Sequence, residues 1–234
     1  MTHKTFLNWS TGKDSALALY FLMQDPKYSV EKLLTTLSVE DSRVSMHGIR
    51  KELLLKQVRH IGLPLSILEL KKDISMTNYG KIFKSSLINL KAQGYTHSAF
   101  GDIFLEDLKQ YRETKLESIG LKALFPLWKM DSFTLMTRFL ELGFKAIIVS
   151  VNAKVLDDNT VGRVIDEDFL KILPKGVDPC GENGEFHTFV YDGPIFNKPV
   201  DFKIGEKKLV NFEGHEEKGE KGWDSKFWYC DLHP

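Results

Sequence analysis

The ten residues NWSTGKDSAL, numbers 8–17, decide how the rest of the chain is read. They follow a short apolar run at residues 5–7. They lead directly into the pattern Ala16, Leu17, Leu19, Tyr20, Leu22. That order is strand, tight loop, helix. The N–H groups of a first helical turn lack carbonyl partners and carry the positive end of the helix dipole. Such a loop is an anion site, and phosphate is the usual anion. Ser10, Thr11 and Ser15 add hydroxyls, Lys13 adds a charge, and Gly12 permits close approach of a ligand. The Walker A pattern is excluded by counting: Leu7 stands where its first Gly belongs, and Asp14 replaces Ser/Thr. An acid among phosphate-binding groups calls for a bridging magnesium ion, here on Asp14. The plain alternative is a helix N-cap formed by Asp14 or Ser15, with Lys13 in solvent.

Outward from this loop, strands and helices alternate. Residues 5–7, 33–39, Leu65–Leu70 and 98–103 read as strands, the last ending at Gly101-Asp102. Residues 15–23, 49–61, part of 74–93, and 105–119 read as helices. Strands spaced by helices predict βαβ units and an α/β fold with a mainly parallel sheet. Ligands of such sheets bind beyond the carboxyl ends of the strands. After Pro126 the pattern changes. A helix at 133–142 and a strand at 145–151 precede a loop around Asp157, Asp158, Asn159 and Gly162. Four strands follow, at 186–191, 200–204, 208–212 and 227–232. The expected division is 1–127, an α/β nucleotide-binding part, and 128–234, a smaller α+β part for the substrate. Residues 214–222 read as a charged surface loop.

Thirty-two basic and thirty-two acidic residues leave no net field toward nucleic acid or an anionic membrane. The longest purely apolar run, residues 16–23, is far too short to span a bilayer. Phe6-Leu7 is too short for a signal peptide. Cys180 and Cys230 make no disulfide framework, so a cytoplasmic protein is expected.

Ser10-Thr11-Gly12-Lys13-Asp14-Ser15 resembles the pyrophosphate loop (PP-loop), Ser-Gly-Gly-x-Asp-Ser, of the N-type ATP pyrophosphatases. It departs at Thr11, where that superfamily has Gly. DPCGENGEFHTFVYDGPIF (178–196) resembles the signature of the diphthine–ammonia ligase family, and GDIFLEDLKQYRE (101–113) and MHGIRKELL (46–54) fit it as well. The chain departs from that family at Asn183 and His187, where Gly and Glu are more usual. The variant looks like a bacterial subgroup, whose acceptor would not be diphthine.

The resemblance implies an adenine nucleotide alpha hydrolase-like (HUP/Rossmann-like) sheet with flanking helices and a smaller C-terminal α+β domain. It implies ATP and Mg2+ as cofactors. The reaction would adenylate a carboxylate with loss of pyrophosphate, after which ammonia displaces AMP to leave an amide. Ser10, Thr11, Gly12, Lys13 and Ser15 would hold the β- and γ-phosphates, and Asp14 the metal. Ser38 and Val39 would lie near adenine or ribose, and His47 would stack on the nucleotide. Gly101 and Asp102 would reach the α-phosphate or the metal, and Glu182 and Glu185 would handle ammonia. Lys13, Asp14, Asp102, Glu182 and Glu185 are thus the candidate catalytic set.

Each candidate has a plainer alternative. Asp102 would cap the helix near 105, and His47 a surface helix. Glu182-Asn183-Gly184 would be a turn with positive φ at Gly184 and solvated acids. Lys109, Arg112 and Lys115, among Glu106, Asp107 and Glu113, would form a solvated helix face. Zinc on Cys180, His187, Cys230 and His233 fits no standard spacing. Trp223, Phe227 and Trp228 are expected to pack over the small domain rather than to make an interface. The expected partners are a small-molecule or protein-borne carboxylate acceptor and ammonia, with a homodimer possible and no membrane or nucleic acid. Two other functions compete. A tRNA-modifying PP-loop enzyme is opposed by the lack of a Cys-x-x-Cys and of a basic, aromatic RNA surface. A nucleotide sensor would bind ATP without turning it over.

Overall fold

The computed structural model describes residues 2–71, 74–212 and 225–234. Strands β1 (His3–Asn8), β2 (Tyr28–Ser38), β4 (Leu65–Leu70), β5 (His97–Ala99) and β6 (Lys122–Leu124) form a parallel sheet in the order β4-β2-β1-β5-β6. A short β3 (Arg43–Val44) folds back antiparallel on the end of β2. Helices α1 (Lys13–Gln24), α2 (Lys51–Ile61), α3 (Met76–Ala92) and α4 (Glu106–Glu117) make the connections. The second sheet is antiparallel, in the order β8-β7-β10-β9, from β7 (Lys145–Asn152), β8 (Phe186–Asp192), β9 (Lys203–Phe212) and β10 (Ser225–His233). Helix α5 (Ser132–Glu141) precedes β7 and α6 (Glu167–Ile172) precedes β8.

The expected α/β architecture is present, with differences in detail. Residues 200–204 and 208–212 belong to one strand, β9, apart from its first residues, because Gly205 lies within the ladder and no turn interrupts it. The three-residue β6 is too short to show a periodicity, yet it closes one edge of the first sheet. The segment before the signature contains α6, capped by Asp166, whose side chain accepts from Phe169 N at 2.7 Å. β5 stops at Ala99, so Gly101 and Asp102 stand in the loop beyond it. The charged segment 214–222 and Trp223 lie outside the described residues. Trp228 packs against the main core.

That core does not divide where the sheets do. One cluster joins Leu7, Trp9 and Leu17 of the first sheet and α1 to Ile147, Val149, Phe186 and Phe189 of the second. A smaller cluster, with Phe6, Leu34, Leu90 and Phe100, fills the space under α3 and α4. Burying these side chains contributes on the order of 1.5–3 kcal/mol each and fixes the second sheet over the carboxyl end of β1. Among the described residues no helix is long and apolar enough to cross a membrane.

Candidate active site

The loop after β1 is built from awkward residues held by many bonds. Thr11 has φ 75°, in the left-handed region that β-branched residues avoid. Its carbonyl accepts from Val190 N at 3.0 Å and from the buried Gln57 Nε2 at 3.0 Å. Gln57 is fixed in turn by Trp9 Nε1 at 2.9 Å. Gly12 is the N-cap of α1, and no side chain caps it, so neither Asp14 nor Ser15 takes that role. A Cβ on Gly12 would stand 2.6 Å from His47 Cε1, which makes glycine a packing requirement. Ser15 Oγ donates to Gly12 O at 2.9 Å and lies 3.2 Å from Ser10 Oγ. Gly101 also serves close approach: its Cβ would meet the carbonyl carbon of Asp14 at 2.8 Å and Ser15 N at 2.9 Å.

Lys13 differs from its sequence reading. Its ammonium is not a mobile charge in solvent; the side chain is 3% exposed. Nζ donates to both Asp14 oxygens, at 2.7 and 2.8 Å, and to the Cys180 carbonyl. It lies 5.5 Å from the centre of the Phe186 ring. An ammonium has three donors, and all three are engaged. Burial is the largest influence and works against its charge, but Asp14, Cys180 and Glu182 together outweigh it and hold the Lys13 pKa above its ordinary value. The backbone N of Lys13 donates to Thr188 Oγ1 at 3.0 Å. Lys13 lines the cavity over this loop and also ties the loop to the second sheet.

A cavity of about 560 Å³ opens over this loop, within the ordinary range of about 300–1,000 Å³ for ligand sites. Ser10, Asp14, Ser15, His47, Gly101, Asp102 and Glu182 line it, as the sequence suggested. Asp102 does not cap α4, whose N-cap is Leu105 without a side-chain bond. It pairs with Arg112 instead, Nε to Oδ2 at 2.7 Å and Nη2 to Oδ1 at 3.2 Å. Burial pushes the Asp102 carboxyl up, and Arg112 opposes that. Glu182 is not a solvated turn acid. Its Oε1 accepts from Ile103 N at 2.7 Å. Burial, with Asp14 and Asp102 nearby, pushes it up to about 7 against that hydrogen bond. The expected turn exists, with φ 84° at Gly184.

His47 Nδ1 donates to the Thr188 carbonyl at 2.9 Å, and its ring lies 4.8 Å from that of His187. Burial lowers the two pKa values to about 4 and about 3, so both imidazoles are neutral near pH 7.

Five expected members do not line the cavity: Thr11 and Gly12, within the loop itself, and Ser38, Val39 and Glu185. Ser38 and Val39 end β2 beyond it, Val39 largely exposed and Ser38 Oγ 3.4 Å from Glu40 Oε2. The β2 wall of the cavity is Leu34 and Thr36. Glu185 is a buried staple: Oε1 accepts from Asp178 N at 3.0 Å and Asn183 Nδ2 at 3.1 Å, and Oε2 from Asn183 N at 3.0 Å. Its oxygens are occupied by the loop it shapes. Asp178 does similar work, accepting from Cys180 N at 3.1 Å and Glu182 N at 2.9 Å. The sequence reading missed Asp178, Thr188 and Arg112 as site-forming residues. Their signal was membership of the two family-like segments.

The acids suit one divalent cation held jointly with phosphate. Asp14 raises the Asp102 pKa and both raise that of Glu182, a demand for positive charge that Lys13 and Arg112 only partly meet. Among the described residues no group of three or more His, Cys, Asp or Glu could hold a metal alone. Magnesium at phosphate sites needs only one or two carboxylates. The zinc set is not assembled there: Cys180 Sγ faces Ser132 O at 3.4 Å, and Cys230 packs against Gly162. Burial pushes the Cys180 thiol up to about 12, away from a ligating thiolate.

Comparison with known proteins adds a family to this geometry. Residues 3–123 match the diphthamide synthase N-terminal domain, and residues 131–233 match the diphthamide synthase C-terminal domain. The chain belongs to the diphthamide synthase family. Among its curated relatives, the diphthine–ammonia ligase of Schizosaccharomyces pombe is 36% identical over 117 residues, 47% of this chain and 19% of that protein. Those of Bos taurus and Homo sapiens are 34% and 33% identical over 102 residues, 40% of this chain and 38% of each of those proteins. The matches thus span a fifth to two fifths of these relatives' length. A solved structure, the U34-tRNA thiolase NcsA from Methanococcus maripaludis with its [4Fe-4S] cluster, aligns with a TM-score of 0.36 and 18% identity. It covers 60% of this chain and 57% of that one, a likeness too slight to bear on function. In this chain residues 10–15 and the segment 178–196 are distant in sequence, and both contribute to the lining of one cavity.

Proposed function

We propose that this member of the diphthamide synthase family is an ATP-dependent ligase that forms an amide by way of an acyl-adenylate. The observation that carries the reading is the meeting of an anion-receptive loop, residues 10–15, with the buried carboxyl of Glu182 across one cavity. Residues 1–127 are proposed as the nucleotide part and 128–234 as the acceptor part. The names of the curated relatives support ammonia and ligation, the likeness of residues 10–15 to the PP-loop supports ATP, and the acceptor proposed is a carboxylate other than diphthine.

The N–H groups of Asp14 and Ser15 in the first turn of α1 and the hydroxyl of Ser10 would hold the β- and γ-phosphates. Asp14 would hold magnesium, which when bound would offset charge on the departing pyrophosphate. The acceptor carboxylate attacks the α-phosphorus, and pyrophosphate leaves. Ammonia then attacks the acyl carbon, and AMP leaves. Glu182, ionised above about pH 7, accepts the proton that the bound amine loses. The neutral imidazoles of His47 and His187 close the loop side without repelling an incoming ammonium ion. Replacing Asp14 by Ala tests the assignment. Release of AMP and pyrophosphate should cease while the thermal melt stays near wild type, and full turnover would remove the reading.

A further inference from the structure

The cavity needs a side-chain cation for its anion, and the residue that sequence would choose is already engaged. Of the residues lining it, Lys13 and Arg112 carry positive charge at neutral pH, since both histidines are neutral. The three donors of Lys13 end on Asp14 and the Cys180 carbonyl. Arg112 has five donors. Nε and Nη2 face Asp102, and among the described residues Nη1 has no hydrogen-bond partner. The guanidinium carbon lies 4.3 Å from the centre of the Phe100 ring, so ring and Asp102 together limit the side chain's freedom before any ligand arrives.

Position decides which phosphate it meets. The cavity that Arg112 lines also carries Phe100, against which the guanidinium packs, and Tyr79 and Phe83, stacked at 5.9 Å and 7°. Asp102, the ion-pair partner of Arg112, follows Gly101, which lies against the first turn of α1. A nucleotide stretched from these rings to the loop places its α-phosphate between them. We propose that Arg112, and not Lys13, is the side chain that binds the α-phosphate of the nucleotide, with Asp102 as its positioning residue. The inference rests on the nucleotide reading given above.

The test is titration calorimetry with AMP and with pyrophosphate, each in the presence of magnesium, on wild type and Arg112→Ala. The variant should bind AMP about ten-fold or more weakly, the loss typical of a hydrogen bond to a charged group. Its pyrophosphate affinity should stay within about two-fold, as expected for a site removed from the lost contact. Added methylguanidinium should restore AMP binding. Unchanged AMP affinity would overturn the proposal, as would a loss confined to pyrophosphate. Wild-type protein that binds neither ATP nor AMP would instead overturn the nucleotide reading beneath it. Should Arg112→Ala not fold, Arg112→Gln removes the charge while keeping a planar donor toward Asp102, and the same outcomes apply.

Discussion

Thr11 shows how far one residue's chemistry can be read ahead of a structure. The PP-loop pattern marks it as the departure, and φ 75° gives the reason glycine is preferred there. Its hydroxyl is also buried without a hydrogen-bond partner among the described residues. Thr11→Gly should therefore raise stability by about 1 kcal/mol, strain relief outweighing the added chain entropy. A melting temperature below wild type would contradict this. Glu182 carries a pH signature. Its folded pKa of about 7 exceeds the unfolded value of about 4.3, so the native state binds more protons between them. Stability from this group then falls as pH rises through that window. Glu182→Gln should lack that slope in denaturant titrations at several pH values, and identical slopes would refute the burial. Lys13 and Glu185 share a feature that spacing does not show: both side chains make bonds within the loops of the site itself. Spacing shows which residues approach a loop, but not whether a side chain faces the ligand or braces the fold.

At the scale of elements, the phosphate loop does not stand on β1 and α1 alone. β8 receives Lys13 N on the Thr188 hydroxyl and His47 on the Thr188 carbonyl, and Val190 N donates to Thr11 O. Thr188→Val keeps the shape and removes the hydroxyl, leaving Lys13 N buried and unpaired. It should cost about 1–3 kcal/mol of stability and weaken ATP binding. ATP affinity equal to wild type would mean that the loop holds its shape without β8. The βαβ elements of the first half were legible because long periodic segments dominate them. β6 and α6 were not, being three and six residues long. The inward face of α4 was also hidden, because an alternating run of charges conceals the one arginine that turns into the cavity.

Across the whole molecule, Asp231 of β10 clasps the first sheet's connection. Arg43 Nη1 reaches it at 2.9 Å and Arg50 Nε at 3.1 Å. Burial disfavours its ionisation, but the hydrogen bonds from Arg50 and Arg43 outweigh that and hold its carboxyl well below the usual range. Its contribution is therefore present above about pH 3.9 and is lost as pH falls below that. Asp231→Asn should cost about 1 kcal/mol at neutral pH, and the gap to wild type should close on acidification. A gap that persists at low pH would assign the loss to packing. The measurement that most directly tests the central claim is the identity of the products. Purified protein, ATP, magnesium and ammonium are incubated with and without a small-molecule extract, and phosphorus species are resolved by NMR. AMP and pyrophosphate, increasing with extract, are the predicted result. ADP and inorganic phosphate, or tight ATP binding with no turnover, would contradict it.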